Sequence, residues 1–544
     1  MTGRRRGALL AAPLAFLAVF FVWPVVNIIG EGLRDDRGWD LTGVRDVVGD
    51  PALRGVAWFT LWQAAASTAL TLLVALPAAH VLARYEFRGR RVVQALATVP
   101  FVLPTVVVGS AFLALLGPRG ALGVDLDSTV WAILLAHVFF NHAVVVRTVG
   151  GLWEGLDPRT EEAARTLGAS RWRALREVTL PALRPAIASA AAITFLFTFT
   201  SFGVVRILGG AGHATLEVEI YRQTADLLDL GLASVLALVQ LAAVAALLVV
   251  QERLEHRRAA AAVTLGGPIR RRARTGRERL WVGGNLAVLA LLLGGPLAVL
   301  VERSFRTGRG HSLDAWRHLG DRSRTSGLFV PPLDAVANSL RFAAAATVIA
   351  VLVGALAAVA LTGARGRVAR TVDAALLLPL GTSAVTVGFG FLIALDEPVD
   401  LRASPWLVPL AQAVVALPFV VRTMTPVLRS IDDRLRQAAA VLGASPSRVW
   451  REVDLPLVRR ALFVAAGFAF AISLGEFGAT TVIARADTPT VPVAIDRLLG
   501  RPGSLNVSQA FALSVVLMVL TASAVLVVDH ARRRDGGGRG GGWV

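Results

Sequence analysis

Side chains able to carry out covalent chemistry are scarce in this sequence. It contains no cysteine, which excludes disulfides, thiolate metal sites and cysteine nucleophiles. Every basic residue is an arginine, so a GxxxxGK[ST] phosphate-binding loop cannot form and any ATP must be hydrolysed by another polypeptide. No HExxH zinc motif and no pair of catalytic residues stands out. The composition therefore disfavours an enzyme, including one that acts within a membrane, and indicates no catalytic or metal-ligating residue.

A few polar residues lie inside long apolar runs, where each is a functional hypothesis by default. His137 and His142 are five residues apart, which does not place them on one helix face, so we expect hydrogen bonds between helices there instead of a shared metal. Glu476 lies near the end of a later run, beside Phe477. It could attract a cation or reach the membrane interface, and the sequence leaves both open.

The strongest signal is a twenty-residue segment that occurs twice. Residues 162–181 are EAARTLGASRWRALREVTLP and residues 437–456 are QAAAVLGASPSRVWREVDLP. They match at twelve of twenty positions, lie 275 residues apart, and each occupies a basic loop between apolar runs. Amphipathic helices resting on lipid headgroups would explain the arginines but not the duplication. We therefore interpret each copy as a docking surface for another protein.

Each copy is predicted to form two short helices joined by a tight turn. An Asp-Pro pair at 157–158 starts a helix that ends at a left-handed Gly168. Ser170 caps a second helix, which we expect to end at the Leu-Pro pair 180–181. The second copy repeats this pattern around Gly443. The candidate docking residues are Glu162, Ala163, Ala164, Gly168, Leu180 and Pro181 in the first copy and Gln437, Ala438, Ala439, Gly443, Leu455 and Pro456 in the second.

The elements that must position these loops are apolar runs of about 18 to 25 residues, long enough to cross a bilayer. The 544-residue chain is 55% hydrophobic, with a mean hydropathy of +0.62. We predict an all-α polytopic membrane protein with about twelve transmembrane helices. The predicted spans are Ala8–Ile29, Val56–Leu82, Val92–Leu116, Val130–Thr148, Ala186–Leu208, Leu232–Val250, Leu280–Leu300, Leu340–Leu361, Ala374–Leu395, Trp406–Val421, Ala461–Ile483 and Ala510–Val528.

The placement of arginine predicts the orientation of these spans. The net charge of +18 comes mostly from arginines in short segments beside the apolar runs, which indicates a lipid bilayer as the partner and not nucleic acid. The N-terminal arginines, both repeated loops and the arginines at 532–534 fall on one side of a twelve-span arrangement. We therefore predict a multi-pass protein of the cell (inner, cytoplasmic) membrane with both termini and both loops in the cytoplasm.

The duplication extends beyond the loops, because further matches recur at offsets of 275 to 279. Six spans are an even number, so both halves enter the membrane from the same side and form a parallel repeat. The predicted division is a first six-span unit at 1–251 with its loop at 157–181, an arginine-rich cytoplasmic linker at 252–279, a second six-span unit at 280–529 with its loop at 430–456, and a tail at 530–544.

The order Glu-Ala-Ala, Gly168 and Leu-Pro resembles the EAA loop of binding-protein-dependent ABC import permeases. With two such loops, the whole chain is similar to the fused ferric-iron and thiamine permeases of that superfamily, which have the type I importer fold. The resemblance implies that each loop docks as a coupling helix on one of two copies of a separate ABC ATPase. ATP and magnesium would then be bound by the ATPase, with no cofactor on this chain, and an extracytoplasmic solute-binding protein would deliver the solute. Gln437 replaces the family's acidic residue, which suggests that the two docks are unequal.

The solute is indicated by two segments near the predicted outer ends of spans. Residues 201–221 resemble the thiamine permease in their Gly-Gly turn and their Ala-Thr and Ile-Tyr order, whereas residues 474–495 resemble iron and thiamine permeases about equally. We interpret the solute as thiamine, with ferric iron second. The alternative is an ion-coupled secondary transporter, which should carry buried acids near span centres, and the sequence has few. The candidate residues of the solute path are Ser201, Phe202, Glu476 and Phe477.

Overall fold

The computed structural model describes residues 3–35, 38–39, 42–118, 120–262, 270–308, 310–322, 328–362, 366–396 and 400–534. These residues form helices, with three two-residue strand pairs among them. By their contacts they group into two compact units. We call Val48–Val218 with Ala242–Arg303 the N unit, and Met1–Val47 with Glu219–Leu241 and Ser304–Gly540 the C unit.

The N unit is built on three long helices that pack side by side. Small residues permit this packing: a Cβ added at Gly150 would lie 3.8 Å from Ala79. Leu289, from the first helix of the second sequence half, lies in the same buried cluster. The helices of this unit are Pro51–Arg84, Arg90–Thr98, Val99–Val102, Thr105–Leu116, Val130–Gly155, Arg159–Thr166, Arg171–Ala174, Leu175–Thr179, Leu180–Phe199, Gly203–Leu208, Gly276–Leu289, Ala290–Gly294 and Gly295–Ser304. Its strands are Tyr85–Glu86 and Arg271–Arg272. Two further helices, Leu216–Tyr221 and Leu230–Ala262, have some residues in the N unit and some in the C unit.

The C unit repeats this arrangement with three equivalent long helices. Leu17 and Phe21, from the first helix of the chain, are buried in it against Phe391 and Leu417. Its helices are Gly3–Leu17, Ala18–Val22, Trp23–Leu33, Thr42–Gly49, Arg222–Asp226, Asp314–Arg317, His318–Gly320, Pro332–Thr362, Arg367–Leu377, Leu378–Gly381, Ala384–Ala394, Leu407–Arg429, Asp433–Val441, Pro446–Val449, Trp450–Asp454, Leu455–Gly475, Gly478–Ile483, Val491–Leu499 and Ser504–Arg534; its strand pairs are Arg34–Asp35 with Gly38–Trp39 and Arg306–Thr307 with Gly310–His311.

Each unit therefore contains the first long helix of the other sequence half. This follows from the buried clusters, which place Leu289 in the N unit and Leu17 in the C unit. The repeat and the compact units are two different divisions of the chain, and the boundaries at 251/252 and 279/280 stay a prediction. The internal duplication itself is visible in matching contacts. The Leu216 N–H donates to Thr60 Oγ1 at 3.0 Å, and 275 residues later the Val491 N–H donates to Ser339 Oγ at 2.8 Å.

Ten helices among the described residues are long and apolar enough to cross a membrane, and one bent pair would make an eleventh. Two of the predicted spans, Val92–Leu116 and Ala374–Leu395, are each interrupted by a break in the backbone. The third is divided into Arg90–Val102 and Thr105–Leu116, which are bent by 103°. The ninth is divided at the same point, before the short helix Ala384–Ala394. Pro104 lies at the first break, where it lacks an N–H and crowds the preceding turn. At the second break, Ser383 Oγ accepts a hydrogen bond from the Thr386 N–H at 3.2 Å and so caps the helix Ala384–Ala394.

The fifth and eleventh predicted spans are displaced along the chain. They begin earlier than expected, at Arg171 and Pro446, and end at Phe199 and Gly475. The residues that follow form separate short helices, Gly203–Leu208 and Gly478–Ile483. The bounds Ala186–Leu208 and Ala461–Ile483 are therefore wrong, because an apolar run continues through a break in the backbone that hydropathy alone does not detect.

Candidate functional site

The two repeated loops have the same backbone conformation. In the first, Asp157 Oδ1 accepts a hydrogen bond from the Arg159 N–H at 2.9 Å, at the start of the helix Arg159–Thr166. In the second, Asp432 Oδ1 accepts from the Arg434 N–H at 2.9 Å, at the start of Asp433–Val441. Both helices then end at a left-handed glycine, as predicted. The φ angles are +91° at Gly168 and +81° at Gly443.

The serine after each glycine caps the next helix, which also agrees with the prediction. Ser170 Oγ accepts from the Arg173 N–H at 3.2 Å, and Ser445 Oγ accepts from the Arg448 N–H at 3.4 Å. The expectation that this helix ends at Leu180 and Pro181 is wrong.

In both copies the helix passes through a π-helical turn, Leu175–Thr179 or Trp450–Asp454, and continues as a candidate membrane span. Such a turn spaces its hydrogen bonds more widely and accommodates the Leu-Pro pair that follows it. The Leu180 N–H accordingly bonds to the Leu175 carbonyl, five residues earlier. The second helix of each loop is therefore continuous with a span.

Large apolar side chains are exposed at the turn of each loop. Leu167 is 90% exposed and Leu442 is 88% exposed, and each directly precedes its glycine. A Cβ added at Gly168 or Gly443 would meet nothing within 4 Å. Single exposed leucines are normal on a protein surface, but their recurrence at equivalent positions of both loops makes these two candidates for contact with a partner. The loop tips are thus open for a partner.

The remaining predicted docking residues are mostly accessible as well. Those that are exposed are Glu162, Ala163, Gln437, Ala438, Leu455 and Pro456, and those that are half-buried are Ala164, Leu180, Pro181 and Ala439. The structure therefore presents the first helix of each loop on the surface of its unit. That these residues bind an ATPase stays a prediction.

A contact that the sequence reading missed joins the first helix of each loop to the π-helical turn. In the first loop, the Thr179 hydroxyl donates to Glu161 Oε2 at 3.2 Å. In the second, Arg436 Nε donates to Asp454 Oδ1 at 2.8 Å. Residues 161 and 436, like 179 and 454, are 275 apart, so the two contacts occupy equivalent positions. The repeat offset is the signal that could have found them.

The base of the first loop is also held by the linker between the halves. Glu154, near the end of the helix that enters this loop, accepts a hydrogen bond from Arg90 at 3.0 Å and forms an ion pair with Arg270. Arg270 directly precedes the strand Arg271–Arg272, which pairs in parallel with Tyr85–Glu86. Part of the linker predicted at 252–279 is thus packed against the N unit, and residues 263–269 of that range lie outside the described residues.

The first two candidate solute-path residues, Ser201 and Phe202, are buried where a span breaks. Ser201 Oγ lies 2.9 Å from His137 Nε2, and the other ring nitrogen, Nδ1, lies 2.9 Å from Ser67 Oγ. This confirms the predicted hydrogen bonding between helices for His137. His142 differs, since neither of its buried ring nitrogens has a hydrogen-bond partner within the part of the chain that the structure describes.

The other two, Glu476 and Phe477, occupy the equivalent break in the second half, 275 residues later. Both are buried. The Glu476 carboxylate accepts from the N–H groups of Ala479 at 2.7 Å and Thr480 at 3.0 Å. It thereby caps the short helix Gly478–Ile483, a structural role that the sequence reading did not include. Contact of these residues with a solute stays a prediction.

Two regions of the chain, residues 71–259 and 350–534, match one and the same family, described as binding-protein-dependent transport system inner membrane component. Together they cover more than half of the sequence, and the chain belongs to this family. It is thus a multi-pass membrane protein and the permease of an ABC importer, a transport subunit rather than an enzyme. The resemblance seen in the loops is confirmed, and the family implies an ATPase and a binding protein as partners.

Among curated proteins, the chain is similar to the thiamine transport system permease protein ThiP of Brucella abortus (strain 2308), with 30% identity over 89% of this chain and 88% of that protein. ThiP of Escherichia coli (strain K12) is 27% identical over 89% of this chain and 90% of that protein. The sulfate transport system permease protein CysT of the same strain is 34% identical over 32% of this chain and 65% of that protein. A solved bacterial ABC transporter involved in the import of the acidic polysaccharide alginate matches 46% of this chain and 94% of its own, with a TM-score of 0.40 and 16% identity.

Proposed function

We propose that this chain is the permease of a thiamine importer and that its two loops couple it to two copies of a separate ABC ATPase. The observation that carries the coupling is the pair of loops, each with an exposed leucine at its tip and a second helix continuous with a span. The assignment of thiamine is supported by the ThiP relatives, which align over most of this chain.

The loops suit a lever mechanism. The helix after each glycine runs on into the span that ends at Phe199 or Gly475, so a displacement of the loop tip reaches the membrane segment through continuous helix. ATP binding by the partners would favour one orientation of the solute path only if the docked loops interact differently in its two states. This chain contributes no covalent step. It binds the partners, holds the loops and forms the solute path.

The proposed function requires one orientation of the chain in the membrane. The loops and both termini lie in the cytoplasm, where the ATPases bind ATP and magnesium, and a binding protein delivers the solute from the other face. This chain binds no cofactor. The arginines that flank the apolar runs support this orientation. The docks are unequal, because the first loop carries Glu162 where the second carries Gln437.

Uptake assays test the solute. Radiolabelled thiamine and ferric iron are supplied to cells that lack this chain, with and without its restored gene, and to vesicles that contain the chain with and without its ATPase. We expect thiamine uptake that requires both the chain and ATP. Uptake of ferric iron but not of thiamine would identify ferric iron as the solute in place of thiamine. Uptake driven by an ion gradient without the ATPase would support a secondary transporter instead.

Substitution at the loop glycines tests the coupling. Gly168→Asp or Gly443→Asp should abolish ATP-driven uptake and weaken ATPase association while the permease still inserts in the membrane. The matched control is Gly89→Asp, because Gly89 is also left-handed (φ +80°) with nothing within 4 Å of an added Cβ, yet lies outside both loops. Normal uptake by both loop variants would contradict the coupling role.

A further inference from the structure

We propose that Arg436 and Asp454 are positioning residues that fix the angle between the first helix of the second loop and the span that follows it. Glu161 and Thr179 have the same task in the first loop. The inference rests on the proposed coupling of the loops to ATPases and goes beyond it, because neither residue of either pair lies at the exposed tip that would touch a partner.

The geometry of the second loop shows how the angle is held. Arg436 lies on the first helix, and its Nε donates to Asp454 Oδ1 at 2.8 Å while its Nη1 donates to Asp433 Oδ1 at 2.7 Å. Asp454 is the last residue of the π-helical turn and is only 8% exposed. Asp433 is exposed. The bond to Asp454 therefore joins the loop to the start of its span, whereas the bond to Asp433 stays within one helix.

The first loop keeps the contact although both of its residues are different. Glu161 is equivalent to Arg436, and Thr179 is equivalent to Asp454. The acidic residue therefore lies on the first helix in the first loop and in the π-helical turn in the second. The Thr179 hydroxyl nevertheless donates to Glu161 Oε2 at 3.2 Å, and Thr179 is 4% exposed. The contact persists although both side chains and the sign of the charge have changed. We therefore infer that a link between these two positions is required, and that the residue types forming it are not.

The two contacts differ in strength. An ionised pair forms a shorter and stronger hydrogen bond than a hydroxyl with a carboxylate, as the distances of 2.8 Å and 3.2 Å illustrate. Removing Arg436 deprives the buried Asp454 carboxylate of this partner, which destabilises more than the loss of an exposed pair, whereas removing Asp454 leaves Arg436 with its exposed partner Asp433. The second loop therefore depends on its ion pair more than the first depends on its neutral donor.

The test is a charge exchange in the complete importer. Arg436→Glu, Asp454→Arg and the double variant are compared for their amount in the membrane, for ATPase association and for solute moved per ATP hydrolysed. We expect each single variant to lower the solute moved per ATP by about tenfold and the double variant to restore most of it. The ratio reports coupling and does not change when less protein is present.

An exposed ion pair outside both loops is the control. Arg402 Nε donates to Asp400 Oδ1 at 3.0 Å, and both side chains are exposed. Arg402→Glu should change the solute moved per ATP by less than about twofold. An equal loss in Arg402→Glu and Arg436→Glu, or a double variant no better than the single ones, would overturn the inference.

Two further outcomes can be distinguished from a failure of this inference. If the unmodified importer moves no solute with ATP, the proposed function itself fails. If a charge-reversed chain does not reach the membrane, Asp454→Ala, which removes both acceptor oxygens of the contact, is measured in its place. A normal ratio of solute to ATP in Asp454→Ala would also overturn the inference.

Discussion

The two repeated loops share a backbone but not the side chains that support it. Both have an aspartate at the helix start, a left-handed glycine, a capping serine and a π-helical turn. These features are set by residues that are identical or alike in the two copies. The contact that joins the first helix to the turn uses Glu161 with Thr179 in one loop and Arg436 with Asp454 in the other. The duplication has thus preserved the geometry and allowed its supports to diverge.

The two loops are held in place by different parts of the chain. The first has a hydrogen bond from a hydroxyl to a carboxylate, without an ion pair, but is also held at its base, where Arg90 and Arg270 both contact Glu154. The residue equivalent to Glu154 is Arg429, which is exposed. The second loop relies on an ion pair within itself. Two copies of one motif can therefore respond differently to the same substitution, and each prediction below compares them.

The largest effect is expected at the exposed loop tips. Leu167→Asp with Leu442→Asp should abolish ATPase association, because a charge replaces the apolar contact at both docks. Each single variant should retain partial association. The stability of the permease alone should change by less than about 0.5 kcal/mol, since both side chains are exposed. Association is measured by co-purification, with Leu122→Asp, another exposed leucine, as the control. Full association of the double variant would contradict docking at the tips.

The next effect is smaller and concerns Glu162, an exposed acid of the first dock that is Gln437 in the second. Glu162→Gln should weaken ATPase binding to the first loop, and Gln437→Glu should strengthen binding to the second, each by about three- to tenfold at low salt. Because both side chains are exposed, the difference should shrink as salt is added. Binding of the ATPase to each variant is measured across a salt series. If both substitutions change binding in the same direction, the docks do not differ in charge as proposed.

Much of the loop structure could be predicted from the sequence because it depends on local rules. Glycine ends a helix where φ must be positive, and serine caps the next one, so Gly168 and Ser170 were interpretable without any tertiary information. The end of the second helix at Leu180–Pro181 was predicted wrongly. The rule that proline stops a helix does not anticipate a π-helical turn that accommodates it.

Long-range contacts could not be predicted in the same way. Hydropathy predicted the third and ninth spans as continuous segments, although a break in the backbone divides each of them. The role of Glu476 as a cap depends on a break after Gly475 that an uninterrupted apolar pattern conceals. Contacts such as Arg270 with Glu154 join residues far apart in sequence, and no local pattern specifies them.

A third prediction concerns the support at the base of the first loop. Glu154→Gln removes the negative charge that both Arg90 and Arg270 contact, while it keeps the size of the side chain. We expect the permease to lose about 1 to 2 kcal/mol of stability and its midpoint of thermal unfolding in detergent to fall by a few degrees. Arg429→Gln, at the equivalent exposed position of the second half, should leave the midpoint unchanged. Equal midpoints for the two variants would show that the linker contact does not hold the loop.

The smallest effect is expected at the left-handed glycine that both loops share. Gly168→Ala and Gly443→Ala each force a Cβ into a left-handed conformation, which costs about 1 kcal/mol. The space around both positions is open, so no steric clash adds to that cost, and the two losses should be equal. Asparagine tolerates this conformation better, so Gly168→Asn and Gly443→Asn should lose less.

Because such a loss is local, it is best measured by hydrogen exchange of the two loops in the isolated permease. Exchange should accelerate to the same extent in the two alanine variants, whatever the difference in their supporting contacts. A clearly larger change in one loop would mean that the ion pair of Arg436 with Asp454 constrains the glycine turn as well as the helix angle. The divergence of the supports would then extend to the backbone that the loops share.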